Sequence, residues 1–206
     1  GVARLTGRRS LPWNEQCDEY QTRLNTMRKE IRISGFGGQG VALAGYILGK
    51  ALSIYSDYET VMTQSYGPEA RGGASSVNLV VSDELIDFPF VQRPDILVAL
   101  SEEGYKQYRH TAKEDALVII ESDLVLPNNG DAPFCIPATR IAEELGRRVV
   151  TNVVMVGYLT AVTGLVTREA VEEAIAGSVK PKTLPLNLKA FEAGFNHPVE
   201  IFGPGR

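Results

Sequence analysis

Glu30-Ile31-Arg32-Ile33-Ser34-Gly35-Phe36-Gly37-Gly38-Gln39-Gly40-Val41 is the stretch on which the fold turns. Its first five residues alternate polar and apolar, the period of a short strand. Gly35, Gly37 and Gly40 then match the spacing G-x-G-x-x-G, and a helical pattern runs from Val41 to Tyr55. A glycine turn between strand and helix lets backbone N–H groups approach phosphate oxygens at the positive end of the helix. The other reading is a tight strand–helix turn that binds nothing. No Lys-Ser or Lys-Thr follows Gly40, which excludes an ATP-type phosphate loop.

On that helix Val41, Ala44, Gly45, Leu48, Leu52 and Tyr55 share one face, while Leu43, Tyr46, Ile47 and Ile54 lie elsewhere around it. Lys50 is its one charge. A helix apolar nearly all round is buried on more than one side, here against a sheet and against a second chain.

Beyond the helix, Asp57 and Glu59 stand where a ribose-binding acid would be sought, and a second strand is expected over Glu59 to Gln64. A third strand is expected from Ala74 to Val81, after a link of only nine residues, 65–73. A parallel crossover needs about a dozen or more, so these strands require an antiparallel or hairpin-linked arrangement. That counts against an ordinary NAD enzyme. Ser82-Asp83 reads as a turn into a hairpin strand at Leu85 to Phe88. Asp95 to Leu100 and Ala116 to Ile120 read as buried strands, and Ser101 caps the helix after the first. A helix over Ala138 to Leu145 ends at Gly146, Asn152 caps an apolar helix closed by Gly164, Thr167 starts another, and the last covers Asn187 to Phe195. Strands alternating with helices predict an α/β, Rossmann-like sandwich with a mainly parallel sheet plus an antiparallel hairpin portion.

The link itself, Ser65-Tyr66-Gly67-Pro68-Glu69-Ala70-Arg71-Gly72-Gly73, offers a hydroxyl, a phenol, a carboxylate and a guanidinium with little to bury. Arg71 presents planar paired donors suited to phosphate or carboxylate, and Ser65 and Tyr66 add hydrogen bonds. Placed at the strand ends, it would share one crevice with the glycine turn. Two further readings stay open: a loop of turn formers with solvated charges, or Glu69 and Arg71 reaching across a subunit interface.

Together, Gly35–Gly40 and Ser65–Gly73 resemble the gamma subunit of 2-oxoacid:ferredoxin oxidoreductases. Thr151-Asn152 through Gly157 and Leu165, and Asn187 to Gly194, are similar to later segments of that family. The resemblance implies a subunit without catalytic residues or metal of its own. Partner alpha and beta subunits would hold thiamine diphosphate, Mg and 4Fe–4S clusters, with a ferredoxin-like delta subunit as a further partner and ferredoxin as electron acceptor. The reaction implied is oxidative decarboxylation of a 2-oxoacid to acyl-CoA. Gly35, Gly37, Gly38, Gln39, Gly40, Ser65, Tyr66 and Arg71 would then face coenzyme A. An NAD(P)- or flavin-binding oxidoreductase and a purely architectural subunit are the alternatives.

Composition bounds the rest. The chain has 206 residues, 44% of them apolar, and a net charge of −4 without a basic stripe, which argues against nucleic acid. Cys17 and Cys135 are too few to ligate an iron–sulfur cluster, and His110 and His197 too few for a metal triad. Val149 to Thr167 is uncharged over nineteen residues, but Asn152, Tyr158 and four threonines make it a buried helix rather than a membrane span. Residues 1–28 read as an N-terminal extension whose Leu11, Trp13 and Tyr20 clip onto a partner or the domain's own surface, or as a disordered leader; 29–206 form the domain. With no export signal and with thiol and low-potential chemistry, the expected location is cytoplasmic.

Overall fold

The computed structural model describes residues 28–65 and 74–202. One sheet organises them. Its seven strands are β1 Arg28–Gly35, β2 Glu59–Ser65, β3 Ser75–Ser82, β4 Ile96–Ala99, β5 Leu117–Glu121, β6 Phe134–Ile136 and β7 Glu200–Ile201. The order across the sheet is β2-β3-β1-β4-β5-β6-β7. β1, β4, β5 and β6 are mutually parallel, while β3 runs antiparallel to both β1 and β2, and β7 antiparallel to β6. Two reversals return β2 to the direction of β1, so every strand but β3 and β7 points one way. The short 65–73 link is thus met by an antiparallel pair, as its length requires.

Among the described residues the α-helices are α1 Val41–Tyr55, α2 Glu102–Tyr108, α3 Ala138–Glu144, α4 Thr151–Thr163, α5 Arg168–Ala176 and α6 Leu184–Phe195. Ile31 and Ile33 of β1, with Val77, Leu79 and Val81 of β3, face the larger core, where they meet α1, α4, α5 and α6. Leu97, Ala99, Val118 and Ile120 face the smaller core with Tyr105 of α2. Both periods follow from strand alternation.

Every residue of α4 is buried. Two of its threonines are satisfied locally: the Thr160 and Thr163 hydroxyls each donate to the carbonyl four residues earlier, both at 2.8 Å. Gly157 of α4 and Gly194 of α6 meet the opposing backbones, so that a Cβ on either would collide with main-chain atoms. Close backbone approach, rather than lipid, is what this helix is built for. Among the described residues no helix is long and apolar enough to cross a membrane.

Several local signals act as read. Ser101 Oγ accepts from Gly104 N at 3.1 Å, Thr167 Oγ1 accepts from Ala170 N at 3.2 Å, and Gly164 ends α4 at φ 59°. Lys50, the one charge of α1, donates to the Gly177 carbonyl at 2.9 Å and so closes the end of α5. α1 packs on sheet and helices but leaves Tyr46 and Ile54 48% and 63% exposed, an apolar outer face.

Three expectations are corrected. Leu85 to Phe88 is not a strand: β3 is already paired on both edges, and the chain leaves Ser82 as a loop. That loop is pinned by Glu30 Oε2, which accepts from Gln92 N and Arg93 N at 2.8 and 3.1 Å, and by Arg32, which donates to the Val91 carbonyl at 3.1 Å. Asn152 is not a cap, because α4 starts at Thr151 and Asn152 reaches elsewhere. The last helix begins at Leu184, with Pro185 in its first turn.

Candidate functional site

The C-terminal end of β1 delivers Gly35 into the glycine turn, and Gln39 braces it. The Gln39 Oε1 atom accepts from Phe36 N at 2.7 Å, its Nε2 donates to the Leu100 carbonyl at 2.9 Å, and its own N–H reaches Phe36 O at 3.2 Å. Leu100 N donates to Ser34 O at 2.8 Å, which ties the turn to the strand beside it. A Cβ on Gly35 would lie 2.6 Å from that Oε1, so the brace requires glycine there. Both polar atoms of the Gln39 side chain are therefore taken up, one within the turn and one by Leu100 at the end of the neighbouring strand.

Gly40 is the residue before α1 and sits in the left-handed region at φ 73°, without a side-chain cap. Its carbonyl accepts from Ala44 N at 3.0 Å and from Asn152 Nδ2 at 3.1 Å. A Cβ on Gly40 would stand 2.6 Å from Asn152 Nδ2, so this contact excludes other residues as firmly as the dihedral does. Asn152 is 1% exposed, and its Oδ1 has no hydrogen-bond partner among the described residues. The result is a rigid foot for the turn.

The apex is the opposite. Phe36, Gly37 and Gly38 are exposed, and space for a Cβ on Gly37 or Gly38 is open to at least 4 Å among the described residues. Behind it, the first N–H groups of a fifteen-residue helix have no acceptor within the helix. This geometry suits an anion or a carbonyl-rich partner.

Strand register brings the second loop's ends to the same edge. Gly35 pairs with Ser75, Ser34 with Ser76, and Ser76 in turn with Ser65. Ser75 Oγ donates to the Gly35 carbonyl at 3.1 Å. Segment 66–73 therefore leaves and rejoins the fold beside the glycine turn, one and two strand spacings away. Of the sequence-predicted site residues, Gly35, Gly37, Gly38, Gln39, Gly40 and Ser65 share this edge; Tyr66 and Arg71 lie outside the described residues.

Other polar clusters lie apart. At the opposite sheet edge, Arg109 forms two hydrogen bonds with Asp131, at 3.1 and 2.8 Å, and the Tyr105 hydroxyl donates to the same carboxylate. Burial and that bond push the Tyr105 phenol up to about 12. At the end of β5, Glu121 is fully buried, accepts from Thr139 N at 3.3 Å and is raised by burial to about 7. The His197 imidazole is lowered by burial and stacks edge-on to Tyr158 at 5.9 Å. None of these features stands out locally in the sequence. No group of three or more His, Cys, Asp or Glu able to hold a metal occurs among the described residues, and Cys135 is buried.

Comparison with known proteins accords with this geometry. The family model for pyruvate ferredoxin/flavodoxin oxidoreductase matches residues 30–197. The 2-oxoglutarate synthase subunit KorC of Methanocaldococcus jannaschii is 51% identical over 85% of this chain and 96% of its own. Its counterpart from Methanothermobacter marburgensis is 52% identical over 82% and 95%. Among solved structures, the keto/oxoacid ferredoxin oxidoreductase gamma subunit of Geobacter sulfurreducens shares 40% identity at a TM-score of 0.75, over 82% of this chain and 95% of that one. This chain belongs to the pyruvate ferredoxin/flavodoxin oxidoreductase family, as one of its gamma-type subunits.

Proposed function

We propose that this subunit serves a 2-oxoglutarate-oxidising complex and forms the wall of the active-site cleft that receives coenzyme A. The substrate reading is supported by the relatives at 51% and 52% identity reported above, both 2-oxoglutarate synthase subunits. The CoA assignment is carried by one observation: the open Gly37-Gly38 apex stands at the N-terminus of α1, with both ends of segment 66–73 on the neighbouring strands. Coenzyme A brings a pyrophosphate and a 3′-phosphate. Backbone N–H groups and the helix terminus receive such anions, and Arg71 adds a forked cation, with Ser65 and Tyr66 as hydroxyl donors.

The chemistry is completed elsewhere. A 2-oxoacid carboxylate and the CoA thiol yield acyl-CoA, CO2, one proton and two electrons, and the electrons pass to ferredoxin. Thiamine diphosphate, Mg and 4Fe–4S clusters are assigned to partners: two cysteines cannot ligate a cluster, and among the described residues no group of three or more His, Cys, Asp or Glu could hold a metal. They belong to the alpha and beta subunits, or to a ferredoxin-like delta subunit. This chain binds and orients the thiol donor and, through the apolar outer face of α1, docks its partners in the cytoplasm.

Co-expression with the partner subunits and assay of a 2-oxoacid panel with CoA and a viologen dye tests the proposal. It predicts CoA-dependent dye reduction that prefers 2-oxoglutarate and is lost when this subunit is omitted. Preference for another 2-oxoacid, or full turnover without this chain, would contradict it.

A further inference from the structure

The loop that replaces the expected hairpin presents Leu85, Phe88 and Phe90 to solvent at 79%, 46% and 58% exposure. It is held firmly. Besides the bonds to Glu30 and Arg32, Glu84 N donates to Ser82 Oγ at 3.0 Å, and the Phe88 and Phe90 rings pack edge to face at 5.5 Å. Large apolar side chains fixed outward in one patch mark a surface that something covers. The patch also has a charge. Asp83, Glu84 and Asp87 fall within it, and no Lys or Arg occurs between Ser82 and Gln92.

Strand register identifies what lies next to it. Arg28, the first residue of β1, pairs with Ser82, so residues 1–27 join the fold beside the start of this loop. Those residues carry Arg4, Arg8 and Arg9 with Leu5, Leu11 and Trp13 before their first acid, Glu15, and they precede the family match, which begins at 30. The fifteen residue steps from Trp13 to Arg28 span roughly 20 Å as a coil and up to about 50 Å extended. Leu85 is only three residues past Ser82, so reach is amply met. A tether this short gives a local concentration of the order of millimolar, enough to seat a modest apolar contact.

We propose that loop 83–90 is the docking surface for this chain's own N-terminal segment. Leu11 and Trp13 cover the Phe88–Phe90 pair, and Arg4, Arg8 and Arg9 meet Asp83, Glu84 and Asp87. The inference is independent of the CoA assignment, since the patch lies at the other end of β1 from the glycine turn.

Trp13 is the single tryptophan of the chain, so its emission reports the contact directly. In the full-length chain the emission is expected to be blue-shifted and shielded from acrylamide compared with the same chain in urea. Phe88→Ser and Phe90→Ser, which replace exposed rings and leave the fold intact by circular dichroism, each lower the docked-to-free ratio about tenfold, with a red shift and stronger quenching. Asp87→Asn gives a smaller change of the same sign, which added salt reproduces. Removal of residues 1–27 speeds amide exchange over the loop. A Trp13 that is fully accessible in the folded chain, an emission indifferent to both ring substitutions, or shielding that arises only on adding partner subunits would overturn the proposal.

Discussion

Asn152 and Gly40, 112 residues apart in sequence, are joined by a 3.1 Å hydrogen bond from the Asn152 amide to the Gly40 carbonyl. The bond locks the start of α4 to the start of α1 and fixes the foot of the glycine turn. Removing the donor in Asn152→Ala is expected to cost about 1–2 kcal/mol in urea unfolding, the loss of one buried hydrogen bond. Asn152→Asp should cost more, because a carboxylate opposite the Gly40 carbonyl cannot donate. Equal stability of the wild type and Asn152→Asp would refute the lock.

Glu121 gives stability a pH dependence of defined sign. Its folded-state value is raised by burial to about 7 from an ordinary 4.5, so between these limits the folded chain holds a proton that the unfolded chain has released. Stability contributed by this group is whole below the lower limit and falls as pH rises through the window. Glu121→Gln keeps the acceptor for Thr139 N and removes the charge. It should flatten that decline and gain up to about 3 kcal/mol at pH 8. Parallel pH–stability curves for the two proteins would show that Glu121 titrates normally.

Arg32 is buried, and among the described residues no carboxylate pairs with it. Its guanidinium donates to Asn78 Oδ1 at 2.7 Å, Thr111 Oγ1 at 2.9 Å and the Val91 carbonyl, and it lies 4.8 Å from the centre of the Tyr108 ring. Burial lowers its pKa, opposed by Tyr108 and Glu30. Arg32→Ala leaves these acceptors unpaired and should destabilise by about 2–3 kcal/mol. Amide exchange should accelerate in 83–93 before it does so in β5. Uniform acceleration would mean that Arg32 does not hold that loop.

Arg71 tests the second loop. In the assembled enzyme, Arg71→Ala should raise the KM for CoA by roughly 10- to 100-fold, the worth of a charged hydrogen-bonding pair, and leave the KM for the 2-oxoacid near its original value. An unchanged CoA dependence in an intact complex would remove Arg71 from the site.

Much of this architecture is legible because its causes are local. The nine-residue link forces the β2–β3 reversal, and Ser101, Thr167 and Gly164 mark helix ends through bonds to residues three or four positions away. What escapes the sequence is long-range. Asn152 has the chemistry of a cap, and only the tertiary fold aims it at Gly40. Leu85 to Phe88 has the character of a strand, but both edges of β3 are already occupied. β6 and β7, at three and two residues, are too short for a period to show. Gln39 was expected to meet the ligand; its side chain is instead spent on Phe36 and Leu100, a use that depends on where β4 ends.

The glycine turn as a CoA-receiving surface is tested most directly at Gly37, where the backbone is not left-handed and a side chain has room. Gly37→Leu should fold and assemble normally while its side chain stands over the apex. The measurement is the KM for CoA of the assembled complex carrying this substitution. A rise of about tenfold or more, with the KM for 2-oxoglutarate unchanged, is the predicted result, the effect of one displaced anion contact. An unaltered KM for CoA in a fully assembled complex would contradict the account and leave the turn a purely architectural element.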